Sequence, residues 1–189
     1  MTLPRLYCIA DRATLDARGV SVRDFAEQLR DAGVLLLQYR DKVNGPQEVL
    51  RTAAEIAAVF AGVDATLVMN DRADLATLVG WGVHVGQGDL LPEDAKRVLG
   101  WNSRFPSGMT NNKALVGVST HNEKQVLRVA QDDKFGDADY IAVGPVFATS
   151  TKVDAEAVVG LEGVRRARAL TVKPLVAIGG ITLENCRSV

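Results

Sequence analysis

The sequence predicts an α/β protein of the (β/α)8 TIM-barrel class, a single domain over residues 1–189 that lacks the last βα unit. Three observations carry that expectation. Nearly continuous apolar runs alternate with amphipathic stretches, as strands do when helices cover both faces of a parallel sheet. A polar or charged residue closes almost every run, which suits a barrel whose βα loops share one rim; a doubly wound open sheet also satisfies the alternation but concentrates such residues at its switch point. Finally, the chain reaches Val189 within a turn or two of Thr182, before an eighth strand. A chain cut short and a family member without that unit both fit this ending, and either leaves two strand edges unpaired unless another element covers them.

Residues 6–11 read as the first strand. Ser21 offers a side-chain cap to a helix in which Val22, Phe25, Ala26 and Leu29 recur at helical spacing, with Gly33 as its stop. Residues 34–40 form a second apolar run that turns polar at its end. Asn44-Gly45-Pro46 then places proline where a helix begins, and Val49, Ala53, Ile56 and Phe60 lie on one face of it. Residues 67–71 and 82–89 are the third and fourth strands, the fourth followed by a helix over 92–99. Residues 101–113, rich in Asn, Ser, Gly and Pro, read as a loop without chemistry. Residues 115–120, 140–146 and 175–180 complete the strands, with a helix over 123–130 and a last one opening at Thr182.

Composition narrows the function. With 47% hydrophobic residues, a formal charge of -1 and no Lys/Arg block, the chain suits one sizeable core and a small-molecule partner rather than nucleic acid. The start passes directly into a strand, and no apolar stretch approaches membrane-spanning length, so a cytoplasmic protein without a membrane partner is expected. A homo-oligomer is left open. Cys8 and Cys186 have no metal-ligand or redox spacing and read as inert thiols.

The third and fourth strands each deliver an aspartate, Asp71 and Asp89, at the C-terminal edge. Carboxylates that converge there repel unless a cation lies between them, and magnesium with substrate phosphates completing its shell is the usual solution. Taken singly, Asp71 also reads as a cap for the helix that follows, and Asp89 as a turn residue before Leu90-Leu91-Pro92. Gln38, Arg40 and Lys42 alternate at the end of the second strand and so share a face. The two cations suit diphosphate oxygens and the amide suits a heterocycle, although a solvated charge cluster explains them equally. Thr149-Ser150-Thr151-Lys152 offers hydroxyl donors and a point charge to a phosphate, or forms an ordinary serine/threonine turn. Gly179-Gly180-Ile181-Thr182 lets backbone amides approach an anion at a helix start, or ends a strand for packing reasons. His121 reads as support for a helix start and His84 as a satisfied core histidine.

In this order, Gln38-Tyr39-Arg40-Asp41-Lys42, Asn70-Asp71, His84-Val85-Gly86-Gln87-Gly88-Asp89, Gly117-Val118-Ser119-Thr120-His121, the stretch from Gly144 to Lys152 and Gly179-Gly180-Ile181-Thr182 resemble the thiamine phosphate synthases over essentially the whole chain. The resemblance implies a (β/α)8 barrel joining hydroxymethylpyrimidine diphosphate to a thiazole phosphate, with release of diphosphate. It implies magnesium on Asp71 and Asp89, and the pyrimidine diphosphate on Gln38, Arg40, Lys42, Asn70, Ser119 and Lys152, with Tyr39 and Asp41 inside the substrate-binding segment. Thr149, Ser150, Thr151 and Gly179 would hold the thiazole phosphate, and the family's other phosphate contacts come from an eighth-strand loop that is not in this sequence. The chemistry suits these residues: an electron-rich aminopyrimidine expels diphosphate, the thiazole nitrogen attacks, and Arg40, Lys42 and Lys152 act catalytically on the leaving group's charge. A thiazole tautomerase of the same superfamily is the nearest alternative, but it would have no diphosphate for the basic pentapeptide and second aspartate to bind. A non-catalytic binding protein or inactive fragment is the other.

Overall fold

The structure, a computed structural model, describes residues 2–100, 115–131, 136–149 and 156–189. It contains two compact units, one of residues 2–84 with 95–115 and the other of residues 85–94 with 116–189.

The first unit is built on β1 (Cys8–Asp11), β2 (Leu36–Arg40), β3 (Thr66–Asn70) and β4 (Gly82–Val85), whose last residue belongs with the other unit. All pairings are parallel and follow chain order, with Asp11 opposite Arg40, Gln38 opposite Val68 and Asn70 opposite His84. Between them run α1 (Arg12–Ala17), α2 (Val22–Asp31), α3 (Pro46–Val59) and α4 (Ala73–Val79), and α5 (Pro92–Gly100) follows β4.

Local sequence explains these helices. Ser21 Oγ accepts the Asp24 amide at 3.0 Å to open α2, and Gly33 supplies the left-handed residue just past its end. Pro46 begins α3, which buries Ala53 together with Val49, Ile56 and Val59, the last three each contributing about 1.5–3 kcal/mol if fully removed from water. Gly80, at φ 71°, ends α4 in the left-handed region that glycine adopts without a Cβ penalty. The first two strands begin later than their apolar runs suggest, because Leu6 and Leu35 are exposed at 59% and 42%. Helix α1 has no sequence expectation behind it; the Asp11 cap creates it.

The second unit contains β5 (Val116–Thr120), α6 (Glu123–Gln131), β6 (Tyr140–Val143), α7 (Gly160–Leu170) and β7 (Leu175–Ala177), again parallel and in chain order. Val126, Val143 and Ala167 form its helix-to-strand core, with Val159, Val164, Leu170 and Leu175 packed around them. β6 is shorter than the predicted run since Pro145 has no N–H to extend the ladder. The helix expected from Thr182 is replaced by turns and a 3-10 helix at Cys186–Ser188. Asn185 causes this locally, its Oδ1 taking the Thr182 amide at 2.7 Å and its Nδ2 donating to the Gly180 carbonyl at 2.9 Å.

Parallel strands in chain order, each joined to the next through helices, are the pattern of the (β/α)8 class, and neither unit contains the order reversal of a doubly wound sheet. Seven such strands lie among the described residues. No helix among them is long and apolar enough to cross a membrane.

Gly117 lies opposite Tyr140, and a Cβ there would stand 2.0 Å from the ring's Cζ. Gly117→Ala should therefore lower unfolding free energy by about 1–3 kcal/mol, the scale of core overpacking, as measured by urea denaturation. An unchanged midpoint would show that the ring does not cover this strand.

Candidate functional site

The end of β2 divides its residues by the pleat of the strand. On one face, Gln38 is 3% exposed and its Nε2 donates to the Tyr7 hydroxyl at 2.7 Å. Arg40 Nη1 donates to Asp11 Oδ2, and beyond the strand Lys42 Nζ donates to Asp71 Oδ2. The two cations read from the sequence thus meet two carboxylates at the ends of the flanking strands.

On the other face, Tyr39 is fully buried and its hydroxyl donates to Asp41 Oδ2 at 2.7 Å. Asp41 Oδ1 accepts the Val43 and Asn44 amides at 2.9 and 3.0 Å, and Oδ2 also accepts Asn44 Nδ2 at 2.9 Å. Tyr39 and Asp41, counted above within the substrate-binding segment, have these polar groups engaged in bracing the β2–α3 loop. Burial and the bond to Asp41 push the Tyr39 phenol well above its usual range. Burial raises Asp41, but its bonds from Asn44, Val43 and Tyr39 outweigh that and hold it below the ordinary carboxylate value.

Asp71 adopts φ 60°, in the left-handed region that costs an L-residue roughly 1–2 kcal/mol and that Asp and Asn tolerate best. Its amide donates to the His84 carbonyl at 2.8 Å, which holds it at the end of β3 beside Asn70. It is not at the cap position of the helix that follows: the residue before α4 is Arg72, whose side chain makes no capping bond. His84 is 6% exposed within β4, as expected of a core histidine.

In the second unit, Asp89 closes a turn, its Oδ2 accepting the Gly86 amide at 2.8 Å, so the turn reading of this residue has a bond behind it. Gln87, which the sequence did not single out, donates from Nε2 to the Ser119 carbonyl at 2.6 Å and ties this turn to the end of β5. His121 joins the end of β5 to that of β6 through Nδ1 and the Gly144 carbonyl, 2.7 Å apart, while its amide donates to Gln125 Oε1 at the start of α6. Gly179 and Gly180, at φ 96° and 66°, lie against the loop after β6: a Cβ on Gly179 would be 2.5 Å from Pro145 Cβ, and one on Gly180 would be 2.5 Å from the Ala148 carbonyl oxygen. Close packing therefore requires this pair. Thr149 is half-buried at the end of the same loop, and Ser150, Thr151 and Lys152 lie outside the described residues.

No group of three or more His, Cys, Asp or Glu that could hold a metal occurs among the described residues. Asp71 and Asp89 each present a hard oxygen donor, already engaged with a cation in one case and an amide in the other. One or two carboxylates, with substrate phosphates and water completing the octahedron, is the way magnesium is usually held, so this donor chemistry fits that ion. It does not fit zinc, which prefers a closed set of N and S ligands.

Asp11 is a third constrained carboxylate near these groups. It is 8% exposed, caps α1 by accepting the Thr14 amide and hydroxyl at 2.9 and 2.7 Å, and takes Arg40 on its other oxygen. Burial raises it, but the Thr14 bonds and Arg40 together hold it below the ordinary value. Neither Asp11 nor Tyr7 was legible as functional in the sequence, since only the fold sets them against Arg40 and Gln38.

Comparison with known proteins adds a family. The family described as thiamine monophosphate synthase matches residues 6–189. The thiamine-phosphate synthase of Koribacter versatilis is 46% identical over 192 residues, covering 100% of this chain and 83% of that protein. That of Chloroflexus aurantiacus is 38% identical, covering 98% and 78%. Among solved structures, thiamine phosphate pyrophosphorylase from Pyrococcus furiosus superposes with a TM-score of 0.77 at 29% identity, covering 97% of this chain and 78% of that one. A 3-dehydroquinate dehydratase from Geobacillus kaustophilus, at TM-score 0.54 and 16% identity over 92% of this chain and 72% of that one, shares the fold alone.

Two outcomes follow from the carboxylates. Because Asp11 and Asp41 are depressed from the ordinary value of 3.8, their contribution to stability is complete above that pH and is lost as pH falls through the lower folded-state values. Acid titration of unfolding should accordingly show a stability loss below about pH 4 that Asp41→Asn makes shallower. At the left-handed position, Asp71→Asn should keep stability within about 0.5 kcal/mol, whereas Asp71→Val should cost about 1–2 kcal/mol or more in thermal unfolding.

Proposed function

This chain belongs to the thiamine monophosphate synthase family, and from that premise we propose that it joins hydroxymethylpyrimidine diphosphate to a thiazole phosphate, giving thiamine phosphate and diphosphate. It is a transferase of thiamine biosynthesis acting on small molecules. The observation that carries the finer reading is the cluster at the end of β2, where Gln38, Arg40 and Lys42 share a face and Lys42 meets Asp71.

The C–O bond between the pyrimidine methylene and the diphosphate breaks, and the diphosphate leaves with the electron pair. The thiazole nitrogen then donates its lone pair to the methylene carbon to form the new C–N bond. Arg40, Lys42 and Lys152 serve as the cations that receive the departing charge, and a fixed guanidinium or ammonium does this without reorganising at the moment of bond breaking. Gln38 and Asn70 orient the pyrimidine through amide hydrogen bonds, with Ser119 as a further polar contact. Thr149, Ser150, Thr151 and Gly179 form the thiazole phosphate subsite. Asp71 and Asp89 would hold magnesium, which would add to the neutralisation of the diphosphate. No side-chain nucleophile is needed, consistent with a half-buried Cys8 whose thiol is raised by burial.

The activity test is direct. Protein incubated with both substrates and magnesium should release thiamine phosphate and diphosphate in equal amounts, and conversion of a thiazole precursor without the pyrimidine diphosphate would point to the tautomerase instead. Asp89→Asn should lower magnesium-dependent turnover by roughly tenfold or more, and turnover within a few fold of the parent would remove Asp89 from the metal site. Lys152→Ala should raise the KM for the pyrimidine diphosphate, and an unchanged KM would count against its phosphate role.

A further inference from the structure

We propose that β1 and the residue leading into it, which contribute no ligand in the reading above, position the diphosphate site: Asp11 sets the Arg40 guanidinium and Tyr7 sets the Gln38 carboxamide. The inference rests on the assignment of Gln38 and Arg40 to the pyrimidine diphosphate. The parallel register places Ile9 beside Gln38 and Asp11 beside Arg40, so positions 9 and 11 share a face with 38 and 40, and Tyr7, just before the strand, reaches Gln38 through its hydroxyl. Strands about 4.8 Å apart allow a short side chain on β1 to reach a long one on β2.

Asp11 is a fixed anchor. Thr14 holds Oδ1 through two hydrogen bonds at the start of α1, leaving Oδ2 to receive Arg40 Nη1. An acid beside a cation weakens the attraction for an anionic substrate, so Asp11 does not serve the site through net charge. What it contributes is orientation: the planar guanidinium carries its donors in a rigid fork, and one tethered nitrogen fixes where the others point. Tyr7 acts in the same way on a neutral partner. Gln38 is 3% exposed and its Nε2 donates to the Tyr7 hydroxyl at 2.7 Å, which fixes the rotamer of an amide whose two ends differ chemically. Both are positioning residues that act through a neighbour.

The test uses the full chain and separate KM and kcat measurements for each substrate. Asp11→Asn keeps the size of the side chain and an oxygen for the Thr14 bonds, but presents an amide N–H where Arg40 needs an acceptor. Tyr7→Phe removes only the hydroxyl. Each should raise the KM for the pyrimidine diphosphate roughly 10- to 100-fold, the scale of a contact misplaced by about an ångström, and leave the KM for the thiazole phosphate within about twofold. Asp11→Asn should add nothing once Arg40→Ala is present, nor Tyr7→Phe once Gln38→Ala is, a non-additivity that a merely structural role does not produce. If Arg40→Ala raises the KM while Asp11→Asn does not, or if the two effects multiply, the positioning role is overturned and the site assignment stands. If Arg40→Ala itself leaves the KM unchanged, the assignment of Arg40 fails and the positioning role fails with it. Should Asp11→Asn melt early, the Tyr7→Phe and Gln38→Ala pair, which touches no helix cap, decides the question.

Discussion

The pairing of β1 with β2, in the register that sets Asp11 beside Arg40, is the constraint on which the rest of the candidate site depends. Side chains alternate across a strand, so a slip of one residue would exchange the face bearing Gln38 and Arg40 for the one bearing Leu37 and Tyr39. Burial of Leu36, Leu37 and Tyr39, all within 1% exposure, opposes such a slip because both faces of β2 are already committed. The strand that aligns the polar groups is therefore held by apolar ones.

The charges near the end of β2 are paired rather than accumulated. Arg40 meets Asp11 and Lys42 meets Asp71, so this part of the molecule holds its cations in defined positions at the expense of net positive potential. That arrangement suits a reaction in which charge moves from one place to another within a bound molecule, since stabilisation then depends on where each donor sits. Asp71 adds a strained backbone to this picture. Its left-handed conformation, secured by the His84 carbonyl, is an energetic cost located at a residue with a proposed chemical role, a common association in enzymes.

Much of this architecture was legible in the sequence, for identifiable reasons. Buried parallel strands write themselves as apolar runs, and Ser21, Gly33 and Pro46 mark helix ends through chemistry that acts within a few residues. The period of two separated Gln38 and Arg40 from Tyr39 and Asp41, though it did not reveal that the latter pair braces a loop. What the sequence could not carry was partnership across strands: Tyr7, Asp11 and Gln87 are ordinary residues until the fold sets them against Gln38, Arg40 and Ser119. Local competition misled as well. Asn185 captures the amide of Thr182 and closes a turn where a helix start was expected, and α1 exists because Asp11 caps a stretch with little periodicity.

The loops after β6 and β7 are stitched together by the Val146 amide on the Ile178 carbonyl and the Phe147 amide on the Gly179 carbonyl, with Gly180 pressed against the Phe147 and Ala148 backbone. Two connections distant in the chain thus behave as one mechanical piece. Grafting either connection alone from a relative would sever these bonds, so a transplant would have to carry both as a matched cassette.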